Sequence, residues 1–277
     1  MKQKSSSLNS VEKALCILLA FTEERPVWGV RQLSAALKLS PATVQRLLQN
    51  LKEYGFVVQE EHTRQYRLGH VYFRFLNALQ SRYPITRQAL PPMQDLMSLT
   101  QETVHLNVID GEERICIEHV ESAQQLKAGM PLGHRSPLYA GASSKCLLAF
   151  SPPEFIQNYL QQVNLVALTE NTLTDPGALR DEIERIRRRG YAGSLGERTP
   201  GLGSLSAPVL GHHGLVLAAL SLAIPEIRYR NRDHRRACLD RLRQTAAQLS
   251  EAMGYGHRRP DSMRPSTRRS GDHEPRQ

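Results

Sequence analysis

The chain has 277 residues, of which 40% are hydrophobic and 23% charged, and this globular balance excludes wholesale disorder. The longest apolar stretch, residues 215–224, is far too short to cross a bilayer, and the N-terminus lacks the apolar core of a secretory signal. The four scattered cysteines form no CxxC pair, so neither a disulfide framework nor a zinc finger is predicted. We therefore expect a cytoplasmic protein of two domains.

The net charge of +9 is unevenly distributed along the chain. Residues 1–82 contain 12 Lys and Arg against 6 Asp and Glu, whereas residues 83–255 contain 18 of each. Residues 256–277 add six Arg and three acids. A basic segment attached to a neutral body is typical of nucleic-acid contact, although a solvated basic face would give the same count.

The first three helices are predicted from apolar periodicity and from capping residues. The first follows Asn9, the second covers residues 30–37, and the third begins with Ser40 as cap and Pro41 at its first position. Polar side chains cover the exposed face of the third helix and suit base edges in the major groove. This arrangement predicts a helix-turn-helix whose candidate DNA-binding residues are Arg31, Ser40, Thr43, Gln45 and Arg46.

Two short strands, residues 56–60 and 65–68, complete a winged unit over residues 8–68. The wing carries Arg64 and Arg67, which suit phosphate contacts or the minor groove. A helix then spans the linker, residues 69–83, and its apolar positions are expected to pack against a dimer partner or the next domain.

Strands mixed with helices predict an α+β fold for residues 84–257, with the sheet covered mainly on one face. A helix over residues 85–100 should be kinked or split by Pro91 and Pro92. Strands follow at residues 104–108 and 115–119, and a third is possible at residues 126–128. Residues 258–277 are rich in Arg, Pro and Ser and predict a disordered basic tail, which either assists DNA binding or is inert.

These blocks resemble the IclR-type family of bacterial transcriptional regulators in order and spacing. The resemblance rests on SVEKALCILLAF, RQLSAALKLSPATVQRLLQNLKEYGFV, YRLG, ETVHLNVIDGEERICIEHVES and SPLYAGASSKCLLAF, and on the segment from Gly190 to Ile224. It implies a winged helix-turn-helix, a linker helix and a GAF-like effector-binding domain. It further implies a dimer or a dimer of dimers that binds double-stranded operator DNA.

The helix start at residues 141–144 offers free N–H groups and hydroxyls, which suit a carboxylate. The resemblance places an effector pocket against this start and the neighbouring strands, with candidate residues Leu126, Met130, Ala142, Ser143, Ser144, Ser204, Ser221 and Ala223. For each serine considered alone, ordinary helix capping, or a buried serine bonded to the backbone, explains the residue equally well. Ser144 stands where the family usually has glycine, which weakens the transfer of any particular effector.

The leading hypothesis is a transcriptional regulator that senses a small organic acid and controls catabolic genes as repressor or activator. The sequence shows no GxSxG, P-loop, HExxH or GxGxxG constellation, so an enzyme is not expected. No cofactor, metal or membrane partner is expected either. An enzyme with a basic appendage and a protein–protein module are the alternatives.

Overall fold

A computed structural model describes residues 9–22 and 24–256, apart from the side chains of Gln80 and Arg82. The chain forms two compact units, Met1–Pro84 and Ile85–Gln277. The tail predicted over residues 258–277 lies outside the described residues. Within the described part of the chain, no helix is long and apolar enough to cross a membrane.

The described residues of the first unit form four helices and a small antiparallel sheet. Its elements are α1 (Ser10–Leu19), β1 (Val27–Trp28), α2 (Val30–Leu37), α3 (Pro41–Glu53), β2 (Val57–Gln59), β3 (Tyr66–Leu68) and α4 (Val71–Arg82). The sheet order is β1-β3-β2, so a strand that periodicity did not reveal, β1, joins the predicted wing. The winged helix-turn-helix predicted from the sequence is confirmed.

Local capping explains where these helices begin and end. Asn9 and Glu12 form a capping box at α1, and the Ser40 hydroxyl accepts the Thr43 N–H at α3. Lys38 adopts a left-handed conformation that ends α2 and allows the short turn into α3. The buried core beneath the helices consists of Ile17, Phe21, Trp28, Leu33, Val44, Leu47, Leu48, Val57 and Tyr66.

The linker helix α4 carries large apolar side chains. Tyr72 and Phe75 approach Phe56, with ring centroids 5.8 and 5.9 Å away. Phe73 and Leu79 are 69% and 57% exposed within this single chain. The expected partner of this apolar surface therefore stays a prediction.

The second unit is built on a six-stranded antiparallel sheet of order β6-β5-β4-β9-β8-β7. Its strands are β4 (Thr103–Asp110), β5 (Glu113–Val120), β6 (Arg135–Pro137), β7 (Ala192–Leu195), β8 (Leu202–Leu210) and β9 (Val216–Pro225). Its helices are α5 (Ile85–Thr100), α6 (Ala142–Ala149), α7 (Pro153–Gln162), α8 (Pro176–Arg189), α9 (Glu226–Tyr229) and α10 (Arg232–Ala252).

Two expectations for this unit are wrong, and a third is wrong in part. The third strand is β6, and residues 126–128 form no strand. The helix α5 is not split at Pro91 and Pro92, since it runs from Ile85 to Thr100 without a break, while the alternative of a kink stays a prediction. Helices also contact both faces of the sheet, because α5 and α10 pack together on one face while α6 lies on the other.

The two faces of the sheet differ in chemistry because side chains alternate along each strand. One face presents buried apolar residues such as Val104, Leu205 and Leu222 to α5 and α10. The opposite face presents His105, Asn107 and Ser221, all buried, on the side where α6 begins. The polar face therefore positions the site described below.

A buried carboxylate, Glu102, connects α5 to the helices that follow the sheet. Its side chain is fully buried and accepts two hydrogen bonds from Arg228, at 2.6 and 2.7 Å. Nε2 of His234 lies 2.8 Å from Oε1 of the same carboxylate. Nη2 of Arg228 also donates to the Leu126 carbonyl at 3.0 Å, so this cluster holds the loop that follows β5.

The Glu102→Gln substitution should lower the free energy of unfolding by about 3 kcal/mol, because it removes a buried charge from its partners. The matched control is Glu113→Gln, since Glu113 pairs with exposed Arg135 and such pairs contribute about 0.5 kcal/mol. Urea unfolding of the full chain measures both. Equal losses for the two variants would contradict the assigned role of Glu102.

Candidate functional site

The exposed face of α3 carries the polar residues predicted to contact DNA. Gln45 and Arg46 are exposed, whereas Val44, Leu47 and Leu48 of the same helix are buried. The Gln45 amide donates a long 3.4 Å hydrogen bond to the Tyr66 phenol, so it leans toward β3. Arg46 is exposed and forms no ion pair with the described residues, so its guanidinium is available to a ligand.

Ser40 and Thr43 lie together at the start of α3. Their hydroxyl oxygens are 2.8 Å apart, and Ser40 Oγ accepts the Thr43 N–H at 3.2 Å. Arg31 is exposed on α2, the preceding helix. The structure therefore brings Arg31, Ser40, Thr43, Gln45 and Arg46 to the two helices of the helix-turn-helix.

The two arginines of the wing differ in surroundings. Arg64 is exposed in the turn between β2 and β3, with a left-handed backbone at φ 57°. Arg67 lies in β3, and its Nε is 3.9 Å from Oε1 of Glu60. Glu60 thus partly neutralises Arg67, whereas the charge of Arg64 faces solvent.

In the second unit, small residues on adjacent strands open a chamber above the polar face of the sheet. Ser204 pairs with Ala223, and Ser206 pairs with Ser221, across β8 and β9. The chamber holds about 50 Å³ and is lined by His105, Arg114, Met130, Ala142, Ser143, Ser194, Glu197, Arg198, Ser204, Ser221 and Ala223 among others. Six of the eight predicted effector residues therefore converge here.

The remaining two predicted residues lie elsewhere. Ser144 is buried, and its hydroxyl lies 3.4 Å from Ser136 Oγ rather than in the chamber wall. Leu126 lines a wider outer cleft of about 720 Å³. Met130 and Arg198 line both spaces, so they form the partition between chamber and cleft.

A buried ion pair fixes the start of α6. Lys145 Nζ lies 2.5 Å from Oε1 of Glu197, and the Lys145 side chain is only 2% exposed. The other oxygen of Glu197 accepts the Gly141 N–H, and Ser194 Oγ accepts the Ala142 N–H, both at 3.0 Å. The N–H groups of Ser143 and Ser144 follow, and first-turn donors have no acceptor inside their own helix. The free anion-binding end of α6 is thus at Ser143 rather than at Ala142.

Two cations that the sequence analysis did not single out, Arg114 and Arg198, line the chamber. Burial and the nearby Arg198 lower the pKa of Arg114 to about 10, so it stays charged at neutral pH. Burial also lowers the pKa of Arg198. No sequence signal pointed to Arg114, because the alternation of Ile115 and Ile117 places this arginine on the opposite face of the predicted strand.

His105 supplies a neutral group to the same chamber. It is 1% exposed, and its Nε2 has no hydrogen-bond partner within the described part of the chain. Burial, and then the charges of His119, Arg114, Arg198 and His134, lower the pKa of His105 to about 3. Its imidazole is therefore uncharged at physiological pH and can donate or accept one hydrogen bond.

No group of three or more His, Cys, Asp or Glu that could hold a metal ion occurs among residues 9–22 and 24–256. His105 and His119 stack with ring centroids 6.2 Å apart, in an arrangement of two rings only. The chamber is lined by polar and charged side chains, among them His105, Arg114, Glu197 and Arg198.

Comparison with known proteins gives consistent matches along both units. Residues 10–61 match the IclR helix-turn-helix domain, and residues 77–251 match the C-terminal domain of the bacterial transcriptional regulator IclR. The chain is 31% identical over 255 residues to the HTH-type transcriptional regulator KdgR of Escherichia coli, covering 92% of this chain and 96% of that protein. These relatives are transcriptional regulators and not enzymes.

Solved structures of similar proteins have the same fold as this chain. The IclR crystal structure from Thermotoga maritima is 30% identical, with a TM-score of 0.79 and coverage of 89% of this chain and 99% of that one. An IclR homologue of Microbacterium hydrocarbonoxydans, crystallised with 4-hydroxybenzoate, shares the fold at 21% identity and a TM-score of 0.74, over 88% of this chain and 99% of that one.

The His105→Gln substitution should weaken the pH dependence of stability. In the unfolded chain histidine titrates near 6.5, whereas folded His105 titrates near 3, so only the unfolded state takes up this proton between these values. Stability due to this group is therefore complete above pH 6.5 and falls as the pH drops toward 3, by about 2 kcal/mol at pH 5.

Urea unfolding at pH 7.5 and pH 5 checks this, and the variant should lose less stability than the wild type on acidification. The control His213→Gln removes an exposed imidazole from the turn between β8 and β9 and should behave as the wild type does. An unchanged pH dependence in His105→Gln would contradict the buried, neutral assignment.

Proposed function

The chain belongs to the IclR family of bacterial transcriptional regulators, and we propose that its α3 and wing bind operator DNA under the control of a small organic acid. The observation that carries the proposal is a winged helix-turn-helix joined to a domain whose chamber combines a helix start with buried cations. We further propose that it acts in the cytoplasm, where its operator DNA lies.

In the DNA-binding unit, α3 is the recognition helix. The apolar side of α3 is buried in the core of the unit, which leaves Thr43, Gln45 and Arg46 toward the major groove. Arg46 has the chemistry to bind guanine in bidentate fashion, and Gln45 the chemistry to bind adenine. Arg31 and Ser40 contact the backbone nearby, and Arg64 and Arg67 contact phosphates from the wing.

The Arg46→Ala substitution should relax base preference at one operator position, with a loss of about 1–3 kcal/mol of discrimination. Arg64→Gln is the matched control, because an exposed wing arginine that binds phosphate should weaken all DNA sequences alike and flatten the salt dependence of binding by about one unit. A binding-site selection followed by salt titration separates the two effects. Unchanged base preference in Arg46→Ala would refute the readout role.

In the effector domain, the proposed ligand is a small organic carboxylate. Its carboxylate meets the N–H groups at the start of α6, with the Ser143, Ser204 and Ser221 hydroxyls as further donors. Ala142 and Ala223 line the chamber with small side chains. Ser144 contributes its backbone N–H, and its hydroxyl contacts Ser136. Met130 closes the chamber, and Leu126 covers the cleft outside it. The 4-hydroxybenzoate complex of the distant homologue supports an acid in this fold.

Calorimetry on the full chain with paired acids and amides tests the charge requirement. Acids should bind at least about tenfold more tightly than their amides, because charge-assisted hydrogen bonds are stronger than hydrogen bonds between neutral groups. An operator gel shift with the same acids tests the regulatory link. Equal binding of acids and amides would overturn the carboxylate proposal, and binding without any change in operator affinity would overturn the coupling.

We propose a homodimer, or a dimer of dimers, as the binding species. The exposed apolar residues of α4, including Phe73 and Leu79, need a partner, and two helix-turn-helix units bind two half-sites. The linker over residues 69–83 would then transmit the state of the effector domain to the spacing of the DNA-binding units.

A further inference from the structure

We infer that the effector carries two anionic groups and that Arg114 and Arg198 bind the second of them. This inference rests on the effector site proposed above, in which the first anionic group occupies the start of α6. It names the chemical class of the effector as a short dianion, such as a dicarboxylate.

Arg114 is a buried cation whose partners are all neutral. The residue is 1% exposed, and its two terminal nitrogens donate to Asn107 Oδ1 at 3.1 Å and to Ser136 Oγ at 2.6 Å. Met130 Sδ and the His134 carbonyl are its other neighbours. Its Nε has no hydrogen-bond partner within the described residues, although this donor belongs to a side chain that lines the chamber.

Arg198 adds a second positive charge to the same wall. Its Nη1 contacts Met130 Sδ at 3.4 Å, the sulfur that Arg114 also contacts. Neither arginine forms an ion pair with any acid in the part of the chain that the structure describes. The neighbouring acid, Glu197, is already engaged by Lys145 and the Gly141 N–H.

Two cations side by side, one of them fully buried, are unfavourable without an anion. The free Nε of Arg114 is a third observation that points the same way, because buried donors are nearly always paired. Since Glu197, the carboxylate that lines the chamber, is already engaged by Lys145, and no acid among the described residues pairs with Arg114 or Arg198, the missing partner is best supplied by the ligand. The Arg114–Arg198 pair is therefore an anion site distinct from the helix start.

The two anion sites are close together. Ser136 links them from outside the chamber, with its Oγ 2.6 Å from Nη2 of Arg114 and 3.4 Å from Oγ of Ser144 in the first turn of α6. The chamber between them holds about 50 Å³, room for only a few heavy atoms. A short chain with an anion at each end fits this space, and neutral His105 Nε2 can bind an oxygen between them.

Calorimetry on the full chain compares malonate and succinate with their half-amides, which keep the shape and lose one charge. The diacids should bind about tenfold or more tightly than the half-amides. Phosphonoacetate, titrated beside malonate, shows whether the second group is preferably a carboxylate or a phosphoryl group. Simple monoacids such as acetate and propionate complete the series.

Arg114→Met should abolish the preference for diacids while monoacid binding persists. Arg198→Met is the second variant, since this side chain is only partly buried and its loss is tolerated even if Arg114→Met fails to fold. The matched control is Arg135→Met at the rim of the outer cleft, because Arg135 already pairs with Asp110 and Glu113. The control should keep the diacid preference.

The outcomes separate this inference from the function on which it rests. If monoacids and half-amides bind as tightly as diacids, the second anion site is refuted and the acid effector stands. If the diacid preference survives in both Arg114→Met and Arg198→Met, the two arginines are not its cause. If no acid of either kind binds, the proposed effector chemistry fails together with this inference.

Discussion

The buried ion pair between Lys145 and Glu197 is the contact around which the effector domain is organised. A lysine inside a helix that packs on a sheet must be neutralised, and Glu197 does this from the segment after β7. Because the same carboxylate also accepts the Gly141 N–H, it anchors the start of α6 to that segment. The pair thus fixes one wall of the chamber. It also engages the Glu197 carboxylate, which is therefore not available to pair with Arg198, the next residue.

Charge compensation in the chamber is consequently incomplete. Among residues 9–22 and 24–256, one buried cation, Lys145, is matched with one acid, whereas Arg114 and Arg198 have neutral partners. The small residues of β8 and β9 keep the space open, since Ser204, Ser221 and Ala223 fill little of it. A cavity that is polar, cationic and small is complementary to a compact anion far more than to an apolar ligand.

The winged unit was predictable because its signals are local. Ser40 and Pro41 mark the start of α3, and α2 and α3 occur over the residues that periodicity indicated. The chamber depends on longer-range register. The apolar residues Ile115 and Ile117 suggested the inward face of the second strand, whereas β5 buries Arg114 and Cys116. A one-residue offset exchanges the two faces of a strand, and the irregular pairing between Leu106 and Asn107 is not visible from sequence pattern alone.

Ligand binding and DNA binding are coupled only if the ligand prefers one conformation of the chain. A short chain of contacts in the effector domain connects the outer cleft to α5 and is available to transmit such a preference. The outer cleft is lined by Leu126, whose carbonyl accepts a hydrogen bond from Arg228. Arg228 in turn binds Glu102, which lies between α5 and β4. The other end of α5 is Ile85, the first residue after the DNA-binding unit. A ligand that contacts the loop at Leu126 is therefore one ion cluster away from α5, the first helix of the effector domain.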